Sequence, residues 1–136
     1  AIVTVDRSSP ENRAESIRIL KSIISKGISV LVFPEGTFNM TNKPLKDFYD
    51  GAFRLAIETQ TPVKPVLFPD TYARMSYKEI LSLTPGRCRI VYLDPIPVDG
   101  LNIEDVSLLK QKVYDEMEKK LIEYEASWLL PSPKGV

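Results

Sequence analysis

Residues 31–37 have the sequence Leu-Val-Phe-Pro-Glu-Gly-Thr, and this stretch decides the fold prediction. Residues 28–33 are apolar except for one serine, a pattern typical of a strand that is buried on both faces of a parallel or mixed sheet. The proline ends the strand because it cannot donate a ladder hydrogen bond, and Gly36 permits a positive φ or the close approach of a ligand. Open α/β sheets bind ligands beyond the carboxyl ends of their strands, so Glu35, Gly36 and Thr37 are predicted to lie at a site. The alternative is an ordinary turn with a solvated Glu35.

A strand and a helix are predicted before this stretch. Residues 2–5 are all β-branched and form the predicted strand. Residues 9–11, Ser-Pro-Glu, start the helix with a hydroxyl cap, a proline at the first position and an acid in the first turn. Gly27 ends it. Strand, helix and strand make a right-handed βαβ unit.

Arg7 follows the first predicted strand, so it lies beside Glu35 if the two strands share a sheet. Its planar guanidinium suits bidentate binding of a phosphate or carboxylate. The alternative is an internal ion pair with Asp6 or Glu11.

Residues 38–47 are polar and aperiodic, which predicts a loop over the site and a source of substrate selectivity. Asp47 or Asp50 is predicted to cap the next helix. Basic residues fall in the same third of the chain and form either a basic patch or an ordinary solvated face: Lys43, Lys46, Arg54 and Lys64.

Two more strands and a long helix complete the prediction. Residues 63–68, which include Pro65, and residues 87–93 are predicted strands, the former at an edge because it contains proline. Residues 102–105 open the last helix like a capping box. Its apolar residues recur every three or four positions, and Trp128 is predicted to pack on the core, with contact at a membrane interface as the alternative.

Composition bounds the function. The chain has 136 residues, 43% of them hydrophobic and 26% charged, which is typical of a globular domain with a real core. Lys plus Arg and Asp plus Glu both number 18, so no basic excess indicates a nucleic-acid partner. No apolar run reaches the roughly 18 residues that a spanning helix needs, and the sequence suggests no metal site.

Several blocks resemble the 1-acylglycerol-3-phosphate acyltransferase family, the glycerolipid acyltransferases. Residues 33–37, Phe-Pro-Glu-Gly-Thr, resemble the third conserved block of that family, and residues 2–7, Ile-Val-Thr-Val-Asp-Arg, resemble the second. Residues 61–66, Thr-Pro-Val-Lys-Pro-Val, resemble the fourth, and residues 51–56 resemble the helix that follows the third block. Residues 89–96 extend the similarity more weakly.

The resemblance implies an α/β fold with a mixed or mostly parallel sheet flanked by helices, like that of glycerol-3-phosphate acyltransferases. Residues 1–130 would be the C-terminal part of one acyltransferase domain that is incomplete at its N-terminus, and residues 131–136 a disordered tail. The family acts at membranes, so the whole protein is expected to contact the cytoplasmic side of a membrane peripherally, and the chain itself is expected to be soluble.

Two departures from the family pattern stand out. The first family block is His-x-x-x-x-Asp, whose His is taken as the catalytic base, and this sequence contains no histidine. Either a preceding segment carries that block or the protein is a naturally base-free relative; in both cases no catalytic residue is expected in this chain. The second departure is Phe38, which stands where the family usually has an Arg associated with the phosphate of the acceptor.

The function implied is transfer of a fatty acyl group from acyl-CoA or an acyl carrier protein to the hydroxyl of a lysophospholipid such as 1-acylglycerol-3-phosphate, without another cofactor. One alternative is a non-catalytic module that binds a phospholipid or an acyl carrier, and another is an acyltransferase for a lyso-lipid without phosphate. The predicted substrate-binding residues are Arg7, Glu35, Gly36, Thr37 and Phe38. Further candidates for acyl or acceptor contacts are Lys43, Lys46, Arg54 and Pro65.

Overall fold

The structure is a computed structural model, and it describes residues 10–41, 43–75 and 83–129. The strand predicted at residues 2–5, Arg7 and the tail at residues 131–136 lie outside the described residues.

Four helices and a two-stranded sheet form the described part of the chain. The helices are α1 (Pro10–Ser25), α2 (Gly51–Glu58), the short α3 (Thr71–Arg74) and α4 (Val106–Glu123), and a 3₁₀ turn, Ile103–Asp105, precedes α4. The strands are β1 (Val66–Leu67) and β2 (Val91–Tyr92). None of the described helices is long and apolar enough to cross a membrane.

The sheet is antiparallel. Val66 lies opposite Tyr92 in the ladder, and Val63 and Ile96 extend it by exchanging backbone hydrogen bonds of 3.0 and 2.7 Å. The strands predicted at residues 63–68 and 87–93 are therefore confirmed in place, although both are shorter. The combination of helices and a sheet is as predicted, but the described residues contain no parallel pairing.

Residues 28–33 correct the central strand prediction. The structure assigns them no strand, and Leu31 and Phe33 are 67% and 68% exposed, so the prediction of a buried strand is wrong for this structure. An apolar run becomes a buried strand only when neighbouring backbone pairs with it and other layers cover it. The predicted neighbour, residues 2–5, lies outside the described part of the chain.

The core lies between α2, α4 and the antiparallel ladder. Phe53 on α2 and Leu109 and Leu121 on α4 are at most 2% exposed, and Leu67 from β1 joins them. The helical spacing that predicted α4 therefore placed the correct face inward. Trp128 packs against the same core, which confirms the prediction for that side chain.

The capping signals at Gly27 and Asn102 formed as predicted, whereas Asp50 precedes α2 without the predicted side-chain cap, and the predicted cap at Ser9 lies outside the described residues. Helix α1 begins at Pro10, and Gly27 after its end has a φ of +75°. At the other end of the chain the Asn102 side chain accepts the Glu104 N–H, while the Asp105 carboxylate accepts the Asn102 N–H, both at 2.9 Å. This reciprocal pair caps the 3₁₀ turn and orients the chain into α4.

One buried ion pair ties the segment before α3 to the approach of β2. Both carboxylate oxygens of Asp70 accept from the Arg89 guanidinium, at 2.6 and 2.8 Å, and one also accepts the Arg89 backbone N–H at 2.8 Å. The hydrogen bonds from Arg89 lower the pKa of Asp70 from 3.8 to about 2, although burial opposes the shift. No local pattern in the sequence predicts this pair, because its partners are 19 residues apart.

Adjacent leucines on α4 test the position of the core. Leu109 is 1% exposed and Leu108 is 63% exposed, so Leu109→Ala is expected to lower the free energy of unfolding by roughly 2 to 5 kcal/mol, because it leaves a cavity. Leu108→Ala serves as the control and is expected to change it by less than about 0.5 kcal/mol. Urea denaturation measures both. Equal losses would contradict the orientation of α4.

The Asp70 ion pair predicts a dependence of stability on pH. Because its pKa is lowered on folding, the ionised carboxylate stabilises the fold above pH 3.8, and that contribution is lost as the pH falls towards 2. Asp70→Asn is therefore expected to cost about 2 kcal/mol near neutral pH. The difference from the wild type should shrink in urea titrations as the pH falls from 3.8 towards 2. A constant difference across that range would contradict the lowered pKa.

Candidate functional site

The stretch after residues 28–33 folds into a tight turn. Pro34 and Glu35 form the turn, and Gly36 has a φ of +70° and donates its N–H to the carbonyl of Phe33 at 3.1 Å. A side chain at position 36 would be strained in this left-handed conformation. The predicted use of Gly36 for a positive φ is therefore confirmed.

A second segment, residues 46–49, holds this turn through two backbone groups. The Lys46 N–H donates to a Glu35 carboxylate oxygen at 2.8 Å, and the Tyr49 N–H donates to the Pro34 carbonyl at 2.9 Å. Two hydrogen bonds, to the adjacent residues Pro34 and Glu35, therefore connect the turn to residues 46–49.

Glu35 is half-buried by this contact. Loss of solvation raises the pKa of its carboxyl above the ordinary value, while the Lys46 N–H and the Lys46 charge partly offset the rise. Glu35 is thus partly rather than fully solvated, and the ordinary turn of the alternative prediction is present. The carboxylate serves as a fixed hydrogen-bond acceptor inside the turn.

The Lys46 side chain returns to the same turn. Its ammonium Nζ donates to Thr37 Oγ1 at 2.9 Å, so one residue contacts both Glu35 and Thr37. We call Glu35, Thr37 and Lys46 the turn cluster. It places a carboxylate, a hydroxyl and an ammonium together, and the hydroxyl and ammonium suit an anionic ligand.

Aromatic packing anchors the segment that holds the turn. Phe48 is 6% exposed, with its ring stacked on Phe53 of α2 at 5.9 Å between centroids and edge-on to Tyr114 of α4 at 5.2 Å. Such pairs add to the stabilisation from buried area. Phe48 therefore connects the turn cluster to the hydrophobic core.

Two hydrogen bonds from the C-terminal part of the chain fix the backbone just before Lys46. Tyr114 donates its hydroxyl to the carbonyl of Leu45 at 3.2 Å, and Trp128 donates Nε1 to the carbonyl of Pro44 at 3.1 Å. Sequence reasoning missed these anchors. Two apolar residues among polar neighbours, Leu45 and Phe48, could have indicated that this segment packs against the core.

The tip of the loop is ordered by Asn39. Its amide donates to the Lys43 carbonyl at 3.0 Å, and its oxygen accepts the N–H and the hydroxyl of Thr41 at 2.9 and 2.6 Å. Phe38 before it is 70% exposed, and Lys43 is also exposed. Phe38 is thus available to a ligand but lacks a charge.

The remaining candidates lie elsewhere. Arg54 faces a cleft of about 330 Å³ between α1 and α2, lined also by Ala14, Ile17, Arg18, Lys21 and Glu58. Pro65 is buried, and its carbonyl accepts the Leu93 N–H at 3.0 Å in the ladder. Lys64 lies over the Tyr92 ring at 5.6 Å. Within residues 10–41, 43–75 and 83–129, no hydrogen bond or ion pair joins Arg54 or Pro65 to the turn cluster.

Comparison with known proteins identifies the family. A family model described as Acyltransferase matches residues 1–69, which include the turn cluster. The chain belongs to the acyltransferase family. The resemblance based on residues 2–7, 33–37 and 61–66 is thereby confirmed.

Individual acyltransferases resemble the chain over much of its length. The 1-acyl-sn-glycerol-3-phosphate acyltransferase alpha of Ovis aries is 34% identical over 99 residues, covering 73% of this chain and 34% of that protein. An uncharacterized acyltransferase of Schizosaccharomyces pombe is 32% identical over 129 residues, covering 91% of this chain and 45% of that protein. The chain thus spans a third to a half of the length of these relatives.

A solved acyltransferase shares the fold. The crystal structure of the 1-acyl-sn-glycerophosphate (LPA) acyltransferase PlsC from Thermotoga maritima superposes with a TM-score of 0.72 at 24% identity, covering 84% of this chain and 46% of that one. This likeness extends the fold assignment beyond residues 1–69 of the acyltransferase match to most of the chain.

The raised pKa of Glu35 predicts how its replacement affects stability in this acyltransferase. A carboxyl whose pKa is raised on folding stabilises most when it is protonated, and that contribution is lost as the pH rises through the folded-state pKa. The stability of Glu35→Gln relative to the wild type should therefore increase as the pH rises above 4.5. Urea midpoints across this range measure the change. A relative gain by the wild type with rising pH would contradict the raised pKa.

Proposed function

We propose that the whole protein transfers a fatty acyl group from acyl-CoA or an acyl carrier protein to the hydroxyl of a lysophospholipid such as 1-acylglycerol-3-phosphate. The observation that carries this proposal is the acyltransferase match over residues 1–69. Relatives named 1-acyl-sn-glycerol-3-phosphate acyltransferase support the choice of acceptor. In this proposal residues 1–130 are the C-terminal part of the acyltransferase domain.

The proposed chemistry is attack of the acceptor hydroxyl on the thioester carbonyl carbon. The new ester C–O bond forms as the C–S bond breaks, and the hydroxyl proton passes by way of a general base to the leaving thiolate. The resemblance assigns that base to the His of a His-x-x-x-x-Asp block. This chain contains no histidine, so the proposal places the base outside residues 1–136. A thioester is already an activated acyl donor, and the proposed reaction uses no other cofactor.

The turn at residues 34–37 is proposed to position the acceptor. Thr37 offers a hydroxyl at the surface, and backbone N–H groups near Gly36 could meet the negative charge that develops on the carbonyl oxygen. Glu35 acts through the backbone that it holds, because one of its carboxylate oxygens accepts the Lys46 N–H at 2.8 Å. Arg7, outside the described residues, is proposed to bind the phosphate.

The proposal places the whole protein at the cytoplasmic side of a membrane, where it meets its lipid acceptor through peripheral contact. Membrane contact is supported by the chemistry of the acceptor, whose acyl chain partitions into a bilayer, and the cytoplasmic side is what the family resemblance implies.

A non-catalytic module is the second candidate, and the absence of histidine from these residues favours it. Such a module would hold a phospholipid or an acyl carrier at the same turn without transferring the acyl group. The coding sequence upstream of Ala1 distinguishes the two. An in-frame His-x-x-x-x-Asp supports the enzyme, and an initiator Met directly before Ala1 supports the module.

The 136-residue chain by itself is expected to transfer no acyl group, because its sequence supplies no histidine to act as the base. Release of free thiol from acyl-CoA in the presence of 1-acylglycerol-3-phosphate measures the reaction. The whole protein is the positive control. Turnover by the pure chain would show that the base is wrongly identified.

Arg7→Ala in the whole protein tests the phosphate role of that residue. Loss of a charged hydrogen bond of roughly 1.5 to 3 kcal/mol is expected to lower kcat/KM for 1-acylglycerol-3-phosphate about ten- to a hundredfold. Glu35→Gln is the comparison and should impair acceptor binding far less, because a neutral amide can still accept the Lys46 N–H. An unchanged kcat/KM in Arg7→Ala would make an acceptor without phosphate the better proposal, with Phe38 contacting it.

A further inference from the structure

The Lys46 ammonium occupies a defined position in the turn cluster. Its backbone N–H is held by Glu35 at 2.8 Å, and its Nζ donates to Thr37 Oγ1 at 2.9 Å. A lysine side chain has several rotatable bonds, so a cation fixed at both its backbone and its tip is unusually well placed to recognise a ligand.

The charge of this ammonium is available for a ligand. Among the described residues, no carboxylate oxygen lies within 4.0 Å of Lys46 Nζ, and the five ion pairs of this part of the chain involve other residues. The Glu35 carboxylate accepts the Lys46 backbone N–H and forms no ion pair with Lys46 Nζ. A hydroxyl beside an ammonium that forms no ion pair among the described residues is a donor pair that suits a phosphate oxygen.

The position of the Lys46 ammonium matters because the residue after Thr37 is the uncharged Phe38. The Phe38 ring is 70% exposed. Lys46 brings a positive charge back to Thr37 from nine residues further along the chain. The cation absent from position 38 is therefore supplied from the opposite side of the loop.

The two other basic candidates lack such placement. Lys43 is exposed at the loop tip, where its backbone rather than its side chain contacts Asn39 and Thr41. Arg54 opens onto the cleft between α1 and α2. Neither has a hydrogen bond to Glu35 or Thr37 in the described structure.

We propose that Lys46 is a second cation, beside the proposed Arg7, that binds the phosphate of the acceptor and so determines acceptor specificity, and that Glu35 is a positioning residue for Lys46. This inference rests on the proposed function. Of the three basic candidates Lys43, Lys46 and Arg54, the inference selects Lys46. Glu35 then acts by holding the Lys46 backbone and does not contact the substrate.

The kinetic test compares Lys46→Ala with the wild-type whole protein. Lys46→Ala should raise KM for 1-acylglycerol-3-phosphate about ten- to a hundredfold with little change in kcat, and it should leave KM for a monoacylglycerol unchanged. Lys46→Arg should restore most of the affinity, because it keeps the charge. Lys112→Ala on the exposed face of α4 is the matched control and should behave as the wild type.

The positioning role of Glu35 has its own comparison. Glu35→Gln keeps an oxygen that can accept the Lys46 N–H, whereas Glu35→Ala removes it. Glu35→Ala should therefore raise KM for the phosphorylated acceptor in the same direction as Lys46→Ala, and Glu35→Gln should not. Glu35→Ala should add little to the effect of Lys46→Ala in the double variant, since both act through one cation.

The inference about Lys46 and the proposed enzymatic function are contradicted by different results. Equal KM values for Lys46→Ala and Lys112→Ala in an active enzyme, or a larger effect of Lys43→Ala, would overturn the inference and leave the function intact. Binding of 1-acylglycerol-3-phosphate without donor, measured by calorimetry, covers the opposite case. Binding that weakens about tenfold or more in Lys46→Ala without any turnover by the wild type would support the inference and contradict the enzyme.

Discussion

The hydrogen bond from the Lys46 N–H to the Glu35 carboxylate, at 2.8 Å, is the contact on which the candidate site depends. It joins two segments that are eleven residues apart and places the Lys46 side chain against Thr37. Burying half of a carboxylate costs free energy unless it has a hydrogen-bond partner. The conformation of the turn therefore depends on the loop that supplies the Lys46 N–H. The site is therefore one cooperative unit.

The hydrophobic core holds residues 44–48, the segment that contacts the turn. Phe48 contacts rings from α2 and α4, and Tyr114 and Trp128 donate to the carbonyls of Leu45 and Pro44. The segment that holds the turn is thus positioned by residues far along the chain. A substitution at Tyr114 or Trp128 would reach the turn cluster through the backbone that they hold.

Local signals in the sequence predicted local structure well. Pro10 and Gly27 bounded α1, the reciprocal pair of Asn102 and Asp105 formed, and the φ of Gly36 is positive. The strand predicted at residues 28–33 was wrong, because apolar content gives burial only when distant segments supply pairing and cover. Glu35 and Thr37 could be predicted as site residues because they follow an apolar run directly. The lysine that contacts them could not, because Lys46 lies eleven residues after Glu35 and only the folded loop brings it back.

Hydrogen exchange of the Lys46 amide reports on this hydrogen bond itself, because that proton is the one donated to Glu35. Site-resolved exchange by NMR in the wild type, Glu35→Gln and Glu35→Ala would measure its protection. We expect strong protection in the wild type and in Glu35→Gln, and its loss in Glu35→Ala with the core amides of α4 still protected. Exchange of the wild-type Lys46 amide at the rate of an unprotected peptide would contradict this expectation.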